Sequence, residues 1–220
     1  MYNIISLHID QPGKPRIHMM TEAGMIGKFD LNSSAVGVAL NAVKAKGVDF
    51  NRLPCHLALR RVLESDSFED AAHALEEVGV AAACHILVAD PSGGVGLECT
   101  AFDVVRLRMR AQQGWNIITH TNHFIEPHSG PSCTPDLPDS PFRLDRIDEL
   151  LGKEIRKPSF ETIGEMLEDE ANFPGSICRA QSDKDGFGTL FSIIMDLKTR
   201  QAQVKMGRPT ESGECLALGP

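Results

Sequence analysis

Cationic side chains are in deficit. The chain has 22 Lys and Arg against 30 Asp and Glu, a formal net charge of −8, and lacks the clustered cations that a phosphate-binding surface requires. Nucleic acid is therefore excluded as a partner. Arg106-Leu107-Arg108-Met109-Arg110 is no exception, because its arginines alternate with apolar residues as on the solvated face of a strand. Long apolar runs are missing too: none approaches the ~20 residues of a membrane-spanning helix. The start of the chain has neither the basic residues nor the apolar stretch of a secretory signal. Ala217-Leu218-Gly219-Pro220 is not a peroxisomal tripeptide. The six cysteines (Cys55, Cys84, Cys99, Cys133, Cys178 and Cys215) are scattered without a CxxC pair. That pattern fits reduced intracellular thiols better than a disulfide framework. A cytoplasmic protein that touches neither membrane nor nucleic acid is expected. The sequence also has no internal repeat and no low-complexity segment.

With 220 residues, 42% of them hydrophobic, the chain can bury one substantial core, and a single domain over 1–220 is expected. Strands are predicted at 2–9 and 16–21, joined by the turn-rich Gln11-Pro12-Gly13-Lys14-Pro15. A small-residue, Val-rich run at 35–43 reads as a buried strand. Pro54 suits a helix start, and Leu57, Leu59, Val62 and Leu63 follow at helical spacing. Ser67 is placed to cap a second helix, with Phe68, Ala71, Ala72, Leu75 and Val78 as its apolar stripe and Gly79 as its end. The continuous apolar run 81–89 predicts a strand covered on both faces. Strands follow at 95–98, 102–109 and 115–119, then a long Pro-rich loop over 126–140 of the kind that often serves function. Helices at 141–151 and 159–170 and strands at 189–197 and 202–206 complete the pattern. Packed sheets with helices outside them, an α+β arrangement, satisfy this order.

Three motifs carry chemistry. In Trp115-Asn116-Ile117-Ile118-Thr119-His120-Thr121-Asn122-His123 an apolar, β-branched run ends in two histidines around Thr121-Asn122, with Pro127, Gly130 and Pro131 close behind. Polar groups where a buried strand meets a loop are fixed by the strand and reachable through the loop. The second motif is Asn172-Phe173-Pro174-Gly175-Ser176-Ile177-Cys178-Arg179-Ala180. The third opens the chain: Thr21-Glu22-Ala23-Gly24-Met25-Ile26-Gly27-Lys28, then Asn32-Ser33-Ser34-Ala35-Val36-Gly37-Val38. In their order along the chain these motifs resemble the large-subunit part of the acyl-coenzyme A:6-aminopenicillanic acid acyltransferase family, a branch of the N-terminal-nucleophile hydrolases. The resemblance runs from Asn3 to Thr210. It implies a four-layer αββα sandwich and a nucleophilic cysteine that becomes N-terminal when the precursor cuts itself. It also implies an acidic residue in an Asn-Trp-Asp-like segment after that cysteine. Met1-Tyr2-Asn3-Ile4 would align downstream of both. The chain is therefore expected to be a truncated family member with its sandwich incomplete at the N-terminus and its nucleophile absent.

The resemblance makes Asn122 the oxyanion residue. A side-chain amide N–H fixed by packing stabilises charge that develops only in the transition state; the bland alternative is a turn Asn that bonds its own backbone. His120 and Thr121 are expected beside it as substrate-binding or supporting groups, and His123 as a supporting one. Thr100 matches a family Ser, and Arg179 is either a carboxylate anchor or a structural ion-pair partner. A metal held by His120, His123 and His128 is rejected, since their spacings define no ligand geometry and no Cys or carboxylate motif completes a site. Cys84-His85 cannot form a dyad, because adjacent strand residues point to opposite faces. Cys55, at a helix start, could have a lowered pKa, and Cys178 is expected in the core. One departure is plain: Asp183-Lys184-Asp185-Gly186-Phe187-Gly188 replaces a Gly-Lys-Ser-Arg-Gly segment, so a penicillin substrate does not follow.

The function implied is acyl transfer or amide hydrolysis at an amide or thioester carbonyl, with an amine or water resolving the acyl-enzyme. The partners are then an acyl donor (an acyl-coenzyme A or an amide), an amine acceptor and a complementary N-terminal segment. No metal or organic cofactor is called for. The rival expectation is a non-catalytic remnant or scaffold protein of the same fold.

Overall fold

The computed structural model describes residues 4–130, 137–183 and 186–220; Pro131, Cys133, Lys184, Asp185 and the first three residues fall outside them. Strands β1 (Ile4–Ile9), β2 (Ile17–Glu22), β3 (Asp30–Asn32) and β4 (Gly37–Ala42) precede helices α1 (Cys55–Leu63) and α2 (Phe68–Val78). Strands β5 (Cys84–Asp90), β6 (Gly93–Cys99) and β7 (Val104–Arg108) then complete a seven-stranded sheet in which neighbours in sequence are neighbours in space. Every pairing is antiparallel. Hairpin β8 (Arg110–Gln112) and β9 (Trp115–Ile117) stands apart from it. After α3 (Ser140–Lys153) and α4 (Phe160–Leu167), strands β10 (Phe191–Asp196), β11 (Gln201–Met206) and β12 (Cys215–Leu218) make a second antiparallel sheet.

Strand alternation builds the layers. Ile17 and Met19 of β2, Val38 of β4, Ile86 and Val88 of β5 and Leu97 of β6 face one side and pack under Leu59, Leu63, Ala71 and Leu75 of the helix pair. On the opposite face, Met20 and Leu31 meet Ala202, Val204 and Leu218 of the small sheet. The far side of that sheet, including Ser192, Ile194 and Gln203, lies under Phe160, Gly164 and Leu167 of α4. Helix, sheet, sheet, helix is the expected αββα order. No helix among the described residues is long and apolar enough to cross a membrane.

The local signals explain most elements. Ser67 accepts the Asp70 amide and caps α2, and Ser159 forms a capping box with Thr162 at α4. Three expectations need correction. The run 81–89 becomes strand only from Cys84, because the Ala81 amide is spent on the Leu53 carbonyl. The run predicted over 102–109 ends at Arg108, and Gln113 and Gly114, at φ 50° and 80°, turn β8 back on β9, as a two-residue hairpin loop requires. β9 stops at Ile117, so Ile118 and Thr119 already belong to the loop. Strands β3 and β12 are short and were not anticipated.

Candidate active site

The site begins with sheet register. Asn41, His85 and Glu98 lie directly across from one another on β4, β5 and β6. All three side chains therefore point from the sheet face opposite the helix pair. His85 and Glu98 are fully buried, and such groups must find partners. Asn41 Oδ1 accepts from His85 Nδ1 at 2.9 Å. The His85 ring stacks on His120, centroids 3.6 Å apart and planes 12° from parallel. Burial, reinforced by His120, pushes the His85 pKa down to about 3, so this imidazole is neutral. Its buried Nε2 has no hydrogen-bond partner among the described residues. It sits over Gly96, where a Cβ would come within 2.6 Å.

Glu98 anchors the loop that follows β9. Its Oε1 accepts from His120 Nε2 at 2.8 Å and the Ile125 amide at 2.6 Å; its Oε2 accepts from the Glu126 amide at 2.9 Å and His128 Nε2 at 3.3 Å. Burial pushes its pKa upward, but these donors, His120 foremost, bring it below the ordinary glutamate value. One buried carboxylate thus pins both ends of residues 120–128, with Asn122 between them. His128 continues to Asp103 at 2.7 Å. Burial opposes ionisation of Asp103, yet His128, the Ser129 amide and Thr100 hold its pKa at about 2.

The middle of the loop is held by the start of α3. Thr121 Oγ1 donates to the Ser140 carbonyl at 2.9 Å, and the Asn122 amide donates to Ser140 Oγ at 2.7 Å. The Asn122 side chain spans a gap: Nδ2 donates to the Ala42 carbonyl at 2.9 Å, while Oδ1 accepts from Arg143 Nη2 at 2.8 Å. An amide nitrogen has two N–H groups, and among the described residues only one is used. Arg143 Nε donates to Asp139 Oδ2 at 2.7 Å, and Arg179 donates to the same oxygen.

The structure therefore joins His120, Thr121, Asn122, His123 and Arg179 in one connected cluster. His120 meets Glu98 and the Thr121 carbonyl, with both ring nitrogens engaged inside the protein. Thr100 is one step removed: its hydroxyl donates to Asp103 Oδ1 and accepts the Phe102 and Asp103 amides, closing the β6–β7 turn. Asn41, His85, Glu98, Asp103, Asp139, Ser140 and Arg143 were not anticipated as site residues. The available signal was Glu98 within Val95-Gly96-Leu97-Glu98-Cys99, a carboxylate in an apolar strand that needs a buried donor. No group of three or more His, Cys, Asp or Glu among the described residues is disposed to hold a metal.

The thiols lie elsewhere. Cys55 is held protonated by its contact with Cys84 and by burial, which overturns any lowering by the helix terminus. Cys84 is drawn down by Cys55, but Cys99 and burial outweigh that and leave it raised. Both pack into the core under the helix pair, with Cys99. Cys178 is buried within reach of Thr210 Oγ1 at 3.5 Å, and Cys215 is exposed on β12.

This architecture is the N-terminal-nucleophile hydrolase fold. Penicillin V acylase from Agrobacterium tumefaciens superposes with a TM-score of 0.62 at 12% identity, covering 94% of this chain and 70% of that one. A variant of conjugated bile acid hydrolase from Clostridium perfringens gives 0.63 at 13%, covering 93% and 77%. Within that fold class, the chain belongs to the acyl-coenzyme A:6-aminopenicillanic acid acyl-transferase family, whose profile matches residues 3–211. It is 40% identical over 221 residues to the 40 kDa form of acyl-coenzyme A:6-aminopenicillanic-acid-acyltransferase from Emericella nidulans. That match takes in 98% of this chain and 60% of the relative's length.

Proposed function

We propose that these residues form the oxyanion-stabilising part of an acyl-transfer site, with Asn122 as the donor. The observation that carries the reading is the Asn122 amide, held at both ends with one N–H unspent among the described residues. A thiolate attacking an amide or thioester carbonyl drives negative charge onto the carbonyl oxygen. A pre-set N–H stabilises that oxygen without reorganising at the moment of reaction. The substrates are an acyl donor with such a carbonyl and an amine, or water, that resolves the acyl-enzyme. Substrate contacts by His120, Thr121, Thr100 and Arg179 would be indirect, because their polar atoms are engaged in holding the loop, the turn and α3.

The nucleophile is an N-terminal cysteine outside the described thiols. Its own α-amine, with a pKa of ~7.7–8, is a competent base near neutral pH. Cys55 and Cys84 are held protonated, and both pack into the core under the helix pair, on the side of the sheet opposite Asn41, His85 and Glu98. The test is intact-protein and peptide mass spectrometry of the active form during turnover of a thioester. An acyl adduct on a terminal cysteine is expected. An adduct on Cys55, Cys84, Cys99, Cys133, Cys178 or Cys215, with turnover abolished when that thiol becomes Ala, would overturn the assignment.

A further inference from the structure

An asparagine amide has two ends of nearly the same shape and opposite chemistry. With its N–H toward a developing oxyanion it stabilises the charge; turned over about its last torsion, it presents a carbonyl oxygen that repels it. Oxyanion stabilisation by Asn122 therefore needs one orientation enforced. We infer that Arg143 is a positioning residue that fixes the Asn122 amide with its N–H end toward the reacting carbonyl. Asp139 and Arg179 in turn hold Arg143 in place. This inference rests on the acyl-transfer reading.

The geometry is unambiguous because both neighbours of the amide are single-function groups. A guanidinium only donates, so the Asn122 atom 2.8 Å from Arg143 Nη2 is Oδ1. A backbone carbonyl only accepts, so the atom 2.9 Å from the Ala42 oxygen is Nδ2. Inverting the amide would set oxygen against oxygen and NH2 against guanidinium. Arg143 is itself fixed. Asp139, one turn earlier at the start of α3, takes Arg143 Nε at 2.7 Å and also receives Arg179. The Asp139 carboxylate makes no cap for its own helix. Side-chain exposures of 13%, 11% and 12% for Arg143, Asp139 and Arg179 place the trio almost out of solvent.

The trio also gives the Asn172–Ala180 motif a purpose. Gly175 lies against Asp139, where a Cβ would come within 2.9 Å of the Asp139 Cβ. Arg179, four residues on, supplies the second clamp. The motif thus seats Asp139, Asp139 seats Arg143, and Arg143 orients Asn122.

The experiment is a kinetic cycle in the active protein with Asn122→Ala, Arg143→Met, Arg143→Glu and the double variant Asn122→Ala/Arg143→Met, folding checked by thermal unfolding. Asn122→Ala should lower kcat by about a hundred- to a thousand-fold. Arg143→Met should lower kcat with KM nearly unchanged. Arg143→Glu, whose carboxylate accepts the NH2 end and turns Oδ1 toward the substrate, should fall to the Asn122→Ala level. The double variant should be no slower than Asn122→Ala alone, since positioning is worthless without its object. A wild-type kcat in Arg143→Met, or losses that multiply in the double variant, would overturn the inference. If Asn122→Ala turns over at the wild-type rate, the acyl-transfer reading itself fails. A second readout needs no turnover. In the 220-residue chain, the Asn122 side-chain amide should give a dispersed 15N–1H pair, with the proton bonded to the Ala42 carbonyl slow to exchange, that collapses in Arg143→Met; an unchanged pair contradicts the inference.

Discussion

At the scale of single residues, Glu98 and His85 are the groups whose states matter most. Glu98 is ionised inside the protein because four donors converge on it. Glu98→Gln keeps the shape but turns an NH2 toward those donors. Breaking a buried charged network in this way typically costs about 3–5 kcal/mol. The expected result is a lowered thermal midpoint with faster amide exchange at Ile125 and Glu126, measured by calorimetry and hydrogen exchange. A midpoint within error of wild type would remove Glu98 as the anchor. Gly96→Ala makes a sharper local test, since its Cβ would come within 2.6 Å of His85 Nε2. A loss of about 1–3 kcal/mol is expected, the usual range for overpacking, and a neutral result would mean that the His85–His120 stack is loose. Neither residue was legible as a site residue. Adjacent-residue alternation ruled out a Cys84–His85 dyad, but it did not reveal which strands His85 lies between. Asn41, His85 and Glu98 are 44 and 13 residues apart and become a row only once β4, β5 and β6 are in register.

At the scale of elements, the helices were legible because their periodicity and caps are local. Ser67 and Gly79 bracket α2 as read, and Ser159 starts α4. The strand set was read less well, for a physical reason. A run such as Val104–Arg108 followed by Arg110–Gln112 has one continuous alternation, yet the structure breaks it at Met109 into a sheet edge and the first strand of a separate hairpin, which Gln113 and Gly114 turn back. That turn offers a test. Gln113 has a φ of 50°, a left-handed conformation that costs an ordinary L-residue roughly 1–2 kcal/mol and Asn less. Gln113→Asn should therefore stabilise the protein by a fraction of that cost, read as a higher urea midpoint at constant m-value. A lower midpoint would show that the Gln113 side-chain bond to the Gly152 carbonyl outweighs turn strain. The motif Trp115–His123 was legible as strand-to-loop, and the loop function assigned to it depends on a partner element, α3, that begins well beyond it in sequence.

At the scale of the whole molecule, buried ionisable groups give stability a pH dependence of two signs. His85 takes up its proton near pH 6.5 when unfolded but only near pH 3 in the native state. Between those values the unfolded chain holds more protons, so stability falls as the pH drops. Glu98 and Asp103 act in the same direction at lower pH: their contribution is present above the unfolded values of 4.5 and 3.8 and is lost as the pH falls through the folded ones. Asp30 opposes them. Burial pushes its carboxyl from 3.8 up to about 7, against the Leu31 and Met20 amides. Its contribution is present below pH 3.8 and is lost as the pH rises through 7. His85→Phe should therefore flatten the rise of stability with pH between about 4 and 6.5, and Asp30→Ala should steepen it. Denaturant midpoints across that window decide the matter; shifts of the same sign in both variants would contradict the assigned ionisation states. The family, and through that resemblance the layer order, was readable from the order of the three motifs along the chain. Asp30, under α1, carried no motif signal at all.

In the proposed acyl transfer, the Asn122 amide stabilises the oxyanion. The most direct test is the single-turnover acylation rate of Asn122→Ala against wild type, measured with one thioester donor at saturation. The rate should be lower by about a hundred- to a thousand-fold, equivalent to about 2.7–4 kcal/mol, with donor affinity and thermal midpoint essentially unchanged. Acylation at the wild-type rate in a folded Asn122→Ala protein would contradict it.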